Sequence, residues 1–334
     1  MIPNDLLISG EIESKDPADN DFLLQQLFDY QTVQLATGKN CRNIKYAATS
    51  GVVCYHETVG ASLHSLGTIR DNRVALLLPR SKVGLQMWGN QVEESRIPVV
   101  RSGIELDIRQ QNDTEEIVLL CDFSLLENLQ DTGNLNPDAR VGLDSLMNSS
   151  SSEGFIRHPT ASMSAWADFF AAQLDSLQDP SQKVSAEKFN KMVIGTVLSL
   201  AEESSATAYE RASPRSQRQL VAKAIELDAV NTYSPCIIPL LCGELHCSRR
   251  KLEMAFREVV GISPLKYMNL FRMNRFYRDL AFADPLTASV TSIAAKHGFT
   301  ELGRLAGNFK RLFGELPLQT LQSARIRHQL ILPT

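Results

Sequence analysis

One local pattern occurs twice in the last third of this chain. Phe256, Gly261 and Pro264 are answered by Phe309, Gly314 and Pro317, each 53 residues further on, and Leu252 is answered by Leu305 at the same shift. The apolar pair Leu240 and Leu241 corresponds likewise to Ile293 and Ala294. A repeated unit of short helix, tight turn, longer helix, then Gly and Pro is a tandem helix-turn-helix. That motif lays its second helix in the major groove of DNA, so two in one chain reach two successive grooves without a dimer.

In the first unit the short helix spans 238–245, His246 and Cys247 make the turn, and Ser248 is placed to cap the longer helix. Over 249–260, Leu252, Ala255, Phe256 and Val259 form the inward face. Arg250, Glu253, Met254 and Arg257 recur at i, i+3, i+4 and i+7, so they enter a groove together, with Ser248 and Arg249 at the helix start. Arginine suits guanine O6 and N7, and glutamate accepts from cytosine N4. The same stripe on an isolated helix reads as a solvated face; the duplication favours DNA.

In the second unit 291–296 is the short helix, His297, Gly298 and Phe299 the turn, and Thr300 the expected cap. The long helix is expected to bury Leu302, Leu305, Phe309 and Leu312 and to present Glu301, Arg304, Asn308 and Arg311, with Lys310 near phosphate. Gly303 and Gly307 each cost about 1 kcal/mol relative to alanine inside a helix. They permit close approach to DNA or weaken base reading by this copy; the second alternative is favoured, which makes the first unit the stronger discriminator. Between the units, 264–281 reads as one helix packing on both, and its row of Arg272, Arg275 and Arg278 is surface or a backbone contact.

Charge follows the same division. The net charge is -4, yet residues 221–334 carry 15 Lys and Arg against 9 Asp and Glu, and the rest carries 19 against 29. A basic end behind an acidic body fits a DNA-binding module attached to something that leaves DNA alone. The N-terminus lacks a basic stretch followed by an apolar core, so no signal peptide is expected, and no run reaches the roughly 18 apolar residues of a membrane span. The six cysteines form no Cys-x-x-Cys pair. Cys242 and Cys247 are read as buried packing thiols rather than a metal or redox site. A reduced, cytoplasmic protein follows.

From about Gln31 to Phe123 short apolar runs are split by Gly, Asn, Asp and Pro: 51–55, 74–78, 84–88, 97–100 and 116–121. Strands at that spacing form a sandwich or small barrel. Tyr55, Leu76, Leu78 and Trp88 are candidates either for its lumen or for plain core. Residues 148–154 are serine-rich and read as a flexible break. Helical stripes follow at 165–177 and 186–203, suited to capping the β domain or to dimerising, and 204–216 reads as a polar linker.

The segment from Cys247 through Phe256, Gly261 to Tyr267, and Gly298 to Pro317 resembles the AraC/XylS family of transcription regulators, over about Gln217–Leu321. More loosely, 73–79 and Trp88-Gly89 resemble the subgroup that includes ethanolamine-utilisation regulators. The resemblance implies an α+β chain: a cupin-like β-barrel or jelly roll with flanking helices, then an all-α domain of two helix-turn-helix units joined by a linker helix. The boundaries expected are 1–147 for the sensor, 148–216 for a helical dimerisation or linker region, and 217–334 for DNA binding. By position the family's base-reading residues fall on Arg250, Glu253 and Met254, and on Leu302, Gly303, Arg304, Ala306 and Gly307; of the second set only Arg304 is a strong reader. The implied partners are double-stranded DNA, RNA polymerase, a small-molecule effector in the β domain and a second copy of the chain, with no membrane. The implied action is activation of transcription.

No enzyme and no cofactor are expected. Metal-binding cupins place two histidines one residue apart, followed by Glu and a later His. Here the β region offers only His56 and His64, eight apart, around Glu57, and no phosphate loop or nucleophile elbow is present. Two other readings stay open: an effector-free dimerising regulator, and a β-barrel enzyme tethered to DNA.

Overall fold

The computed structural model describes residues 6–14, 24, 26–38, 41–80, 84–93, 95–131, 135–148, 154–157, 160–179, 181, 184–205, 210–211, 215–230, 237–284 and 286–323. The alternation seen in the sequence becomes two stacked, fully antiparallel sheets. The larger runs β1 (Ile8–Ser14), β3 (Arg42–Ala48), β4 (Val52–Val59), β11 (Thr114–Asp122), β6 (Arg73–Pro79), β9 (Arg96–Arg101), β12 (Gly154–Arg157) and β13 (Glu210–Arg211). The smaller runs β2 (Phe28–Gln34), β5 (Leu63–Ile69), β10 (Glu105–Gln110), β7 (Leu85–Met87) and β8 (Asn90–Gln91). Adjacent positions in the chain repeatedly land on different sheets, the arrangement of a jelly-roll-like sandwich.

Both faces of the larger sheet are buried, and a period of two decides which residue goes where. On β6, Val74, Leu76 and Leu78 face outward into a layer of helices, while Ala75 and Leu77 face the smaller sheet. Leu76 and Leu78 are therefore not lumen residues; Tyr55 and Trp88 do lie between the sheets. The helical layer comprises α1 (Phe123–Asp131), α2 (Pro137–Asn148), α3 (Thr160–Leu177) and α4 (Ala186–Ser205). Phe170, Leu174, Phe189, Val193, Val197 and Leu200 from α3 and α4 share one core with the outer face of that sheet. Burying several such side chains at about 1.5–3 kcal/mol each fixes these helices on the β domain.

Strand β1 and the helices α1 and α2 lie outside the elements expected from the sequence. Of the serine-rich break, 149–153 lie outside the described residues; of the supposed linker, Glu210 and Arg211 pair with β12 at the sheet edge.

The remaining helices are α5 (Arg215–Val230), α6 (Ile237–Glu244), α7 (Arg249–Val259), α8 (Pro264–Ala281), α9 (Val290–Lys296) and α10 (Leu302–Phe313). The repeat is reproduced in three dimensions. Phe256 and Phe309 are both fully buried, Leu241 and Ala294 likewise, and Gly261 and Gly314 adopt the same left-handed conformation, φ 78° and 77°. A left-handed residue just past a helix favours glycine because a Cβ would crowd the following carbonyl.

Candidate nucleic-acid interface

α8 belongs to both units. Its first half gives Tyr267, Met268 and Phe271 to the core of the first, and its second half gives Met273, Phe276, Tyr277 and Leu280 to the core of the second. Eighteen residues at 1.5 Å each make a strut of about 27 Å, comparable with the ~34 Å separating successive major grooves on one DNA face. Asp279 near its end accepts from Lys296 at 2.7 Å and from His297 Nε2 at 3.0 Å, tying α9 to the strut.

In the first unit the Ser248 side chain accepts from the Lys251 N–H at 3.2 Å, as a cap should. Leu252, Ala255, Phe256 and Val259 are buried, and Ser248, Arg249, Arg250, Met254 and Arg257 are exposed on the opposite side. Glu253 is half-buried between Arg249 and Arg257, 4.0 Å from each. At that separation, with both arginines exposed, these are weak pairs within the helix.

The second unit departs from expectation at its start. Thr300 is not the cap: Glu301 occupies that position and its side chain makes no capping bond. Leu302 is 40% exposed rather than buried. Side chains lean toward the helix N-terminus, so a residue in the first turn projects beyond the core that Leu305, Phe309, Leu312 and Phe313 fill. Thr300, Glu301, Arg304, Lys310 and Arg311 are exposed, and Asn308 is half-buried, accepting from Arg311 Nη2 at 2.7 Å. A Cβ built on Gly303 or Gly307 would meet nothing within 4 Å. Nothing inside the fold uses those glycines.

A model of the helix-turn-helix domain matches residues 241–323, the span from the end of α6 to the end of the described chain. The chain is 30% identical over 108 residues to the probable thc operon regulatory protein of Rhodococcus erythropolis, and 33% identical over 78 residues to a XylDLEGF operon transcriptional activator of Pseudomonas putida. A solved structure of a probable AraC family transcriptional regulator from Rhodopseudomonas palustris is 30% identical, with 98% of that chain and 32% of this one covered and a TM-score of 0.29. The chain belongs to the AraC/XylS family. The matches cover 32% and 24% of the two curated regulators and 32% and 23% of this chain, so they concern one region of each protein.

What separates this AraC/XylS chain from its DNA-binding third alone is the docking of the β domain. Gln34, fully buried at the end of β2, donates from its backbone N–H to Asn274 Oδ1 at 2.9 Å, and its carbonyl accepts from Asn274 Nδ2 at 3.2 Å. Its Nε2 donates to the Leu312 carbonyl at 2.8 Å, and the Gly38 N–H reaches the same carbonyl at 3.0 Å. One short segment of the β domain therefore holds the strut and the end of the second recognition helix together. Beside it, fully buried His64 links Tyr267 Oη (2.8 Å, at Nδ1) to Asp107 (3.0 Å, at Nε2). Burial and, behind it, the Asp107 charge push the Tyr267 hydroxyl well above the usual phenol range, so it donates to Nδ1 while Nε2–H donates to the carboxylate. Val33 joins the core of the first unit, and a Cβ on Gly261 would meet the Arg109 guanidinium at 2.6–2.8 Å. None of this docking was visible in the sequence, because single polar residues carry no period.

A cavity of about 30 Å³ is lined by Tyr30, Arg42, Tyr55, Glu57, Gln110 and Glu116 together with apolar side chains. Arg42 pairs with Glu57, and Gln110 donates to Glu116 at 3.2 Å. Burial first, then the Glu57 charge, pushes the Glu116 carboxyl well above the usual carboxylate range against the pull of Arg42, which favours its protonated form. A roomier groove of about 590 Å³ lies where the smaller sheet meets the DNA-binding half, lined by Asp29, Arg70 and Glu105 on one side and Glu226 and Arg278 on the other. Among the described residues no three His, Cys, Asp or Glu side chains are grouped to hold a metal ion, and no helix is long and apolar enough to cross a membrane.

Proposed function

We propose that the chain is a cytoplasmic, sequence-specific regulator of transcription that activates by placing both helix-turn-helix units on DNA near RNA polymerase. The observation that carries this reading is the paired geometry: two exposed recognition faces on opposite ends of one shared strut. In the first unit Arg250, Glu253 and Met254 read bases, with Ser248, Arg249 and Arg257 at the groove walls. In the second Arg304 reads, Asn308 and Arg311 support it, and Thr300, Glu301 and Lys310 flank the backbone. The functional boundaries remain 1–147, 148–216 and 217–334, although β12, β13, α3 and α4 are built onto the first sheet. A second copy of the chain would dock on the helical layer.

A small-molecule effector acts on the β domain and shifts the population of domain arrangements. The cavity lined by Arg42, Glu57 and Glu116 has room for a water or two, and the 590 Å³ groove, where both halves contribute side chains, offers an organic effector more space. The small volume of that cavity also favours a second reading, an effector-free dimerising regulator. A thermal-shift screen of metabolites separates them, since a ligand binding the folded state raises its stability by mass action.

The test of DNA reading is a pair of substitutions. Arg250→Ala should cost about 1–3 kcal/mol on a selected duplex and relax preference at one base pair. Lys310→Ala should weaken all sequences alike and lower the salt dependence by about one counterion. Equal losses on selected and random duplexes from both variants would refute the division into base and phosphate contacts.

A further inference from the structure

The turn of the first unit holds chemistry that DNA reading leaves unused. α6 ends in a Schellman turn: the His246 N–H donates to the Gly243 carbonyl at 3.2 Å, the Cys247 N–H donates to the Cys242 carbonyl at 3.0 Å, and His246 takes a left-handed φ of 48°. This turn brings the third residue from the helix end against the second residue beyond it. Here both are cysteines, so the turn sets the two side chains on neighbouring positions. The sequence suggested buried packing thiols, yet both are partly exposed, whereas Cys54 and Cys121 are sealed in the larger sheet. The next residue, Ser248, caps the recognition helix.

We infer that Cys242 and Cys247 are a modification site, a dithiol that a hydroperoxide converts to a local disulfide and that thereby alters DNA reading by the first unit. One sulfur attacks the peroxide, the O–O bond breaks, and a sulfenic acid and the corresponding alcohol (water, from hydrogen peroxide) result. The second sulfur displaces the hydroxyl as water and the S–S bond forms. The two thiols lose two protons and two electrons, and the peroxide is reduced. The bond then holds the two Cβ atoms at about 3.5–4.5 Å, which re-sets the turn immediately before the cap and with it the pitch of α7. Burial first, then the neighbouring thiol, holds Cys247 above the usual thiol range against Lys251, so the reaction is slow at neutral pH and quickens as the thiolate forms.

The DNA consequence rests on the regulator reading; the site itself does not. The full chain, reduced and then treated with hydrogen peroxide, is alkylated and mapped by peptide mass spectrometry. In parallel it is titrated onto a duplex selected by the reduced protein from a random pool. The expected result is a Cys242–Cys247 linkage, about ten-fold weaker binding, recovery with dithiothreitol, and no loss in Cys242→Ser or Cys247→Ser. Exposed Cys41 serves as the unpaired control thiol. Full alkylation of both cysteines after peroxide, or oxidation confined to Cys41, overturns the site. A mapped linkage with unchanged binding overturns the coupling to DNA. If the reduced chain selects no duplex, the regulator reading fails while the linkage map still decides the site.

Discussion

Replacing Gly303 and Gly307 together by alanine should stabilise α10 and weaken its hold on DNA. The two glycines lie four residues apart on the exposed side of the helix, on either side of Arg304 and Ala306, and a Cβ at either position meets nothing within 4 Å. Neither has the positive φ that would exclude a side chain. Each substitution therefore recovers the ordinary difference between glycine and alanine in a helix, about 0.5–1 kcal/mol, and the pair about 1–2 kcal/mol. Amide hydrogen exchange over 302–313 reads that gain as roughly 5- to 30-fold slower exchange. The same two Cβ atoms would stand between the helix backbone and a duplex pressed against it, so affinity should fall on selected and random sequences alike, glycine having no side chain to read bases. Slower exchange with unchanged DNA affinity would refute close approach and leave the other alternative, a second unit that reads bases weakly. No change in exchange would refute the helix argument itself.

Asp228 is 1% exposed with both oxygens lacking a hydrogen-bond partner, and burial pushes its carboxyl up to about 6 against Arg272 and Arg275. A raised folded value means the native state holds the proton longer, so this group's stabilising contribution is full below the unfolded value of about 3.9 and is lost as pH rises through about 6; Asp228→Asn should flatten urea-unfolding stability over that window and add about 1–3 kcal/mol at pH 7. Arg42→Met should cost about 3–5 kcal/mol by stranding Glu57, whereas Glu116→Gln, replacing a group whose protonated form is favoured, should shift the unfolding midpoint little; equal costs would overturn the protonation assigned to Glu116. Tyr267→Phe strips the donor from buried His64 Nδ1 and should cost about 1–3 kcal/mol, read as loosened docking between the β domain and the first unit by limited proteolysis. An unchanged cleavage pattern there would argue against the His64 link as a tie between the halves.

The AraC/XylS-type end of this protein was legible because it is local and repeated. Helix spacing, the Ser248 cap and the positive-φ glycines at 261 and 314 are properties of a few neighbouring residues, and the 53-residue shift states the same solution twice. Where a local rule met the edge of a core it failed: Leu302 fits the apolar period yet projects past the packing, and Thr300 is one residue too early to cap. In the β domain the runs announced strands but not faces. With both sides of the larger sheet buried, Leu76 and Leu77 look alike in sequence, and only the helical layer and the smaller sheet decide which core each enters. The docking of the two halves was wholly a product of the tertiary structure. Gln34 and Asn274 are 240 positions apart and His64 and Tyr267 are 203 apart. A hydrogen bond between lone polar residues leaves no period to detect, and its partner exists only once both halves have folded against each other.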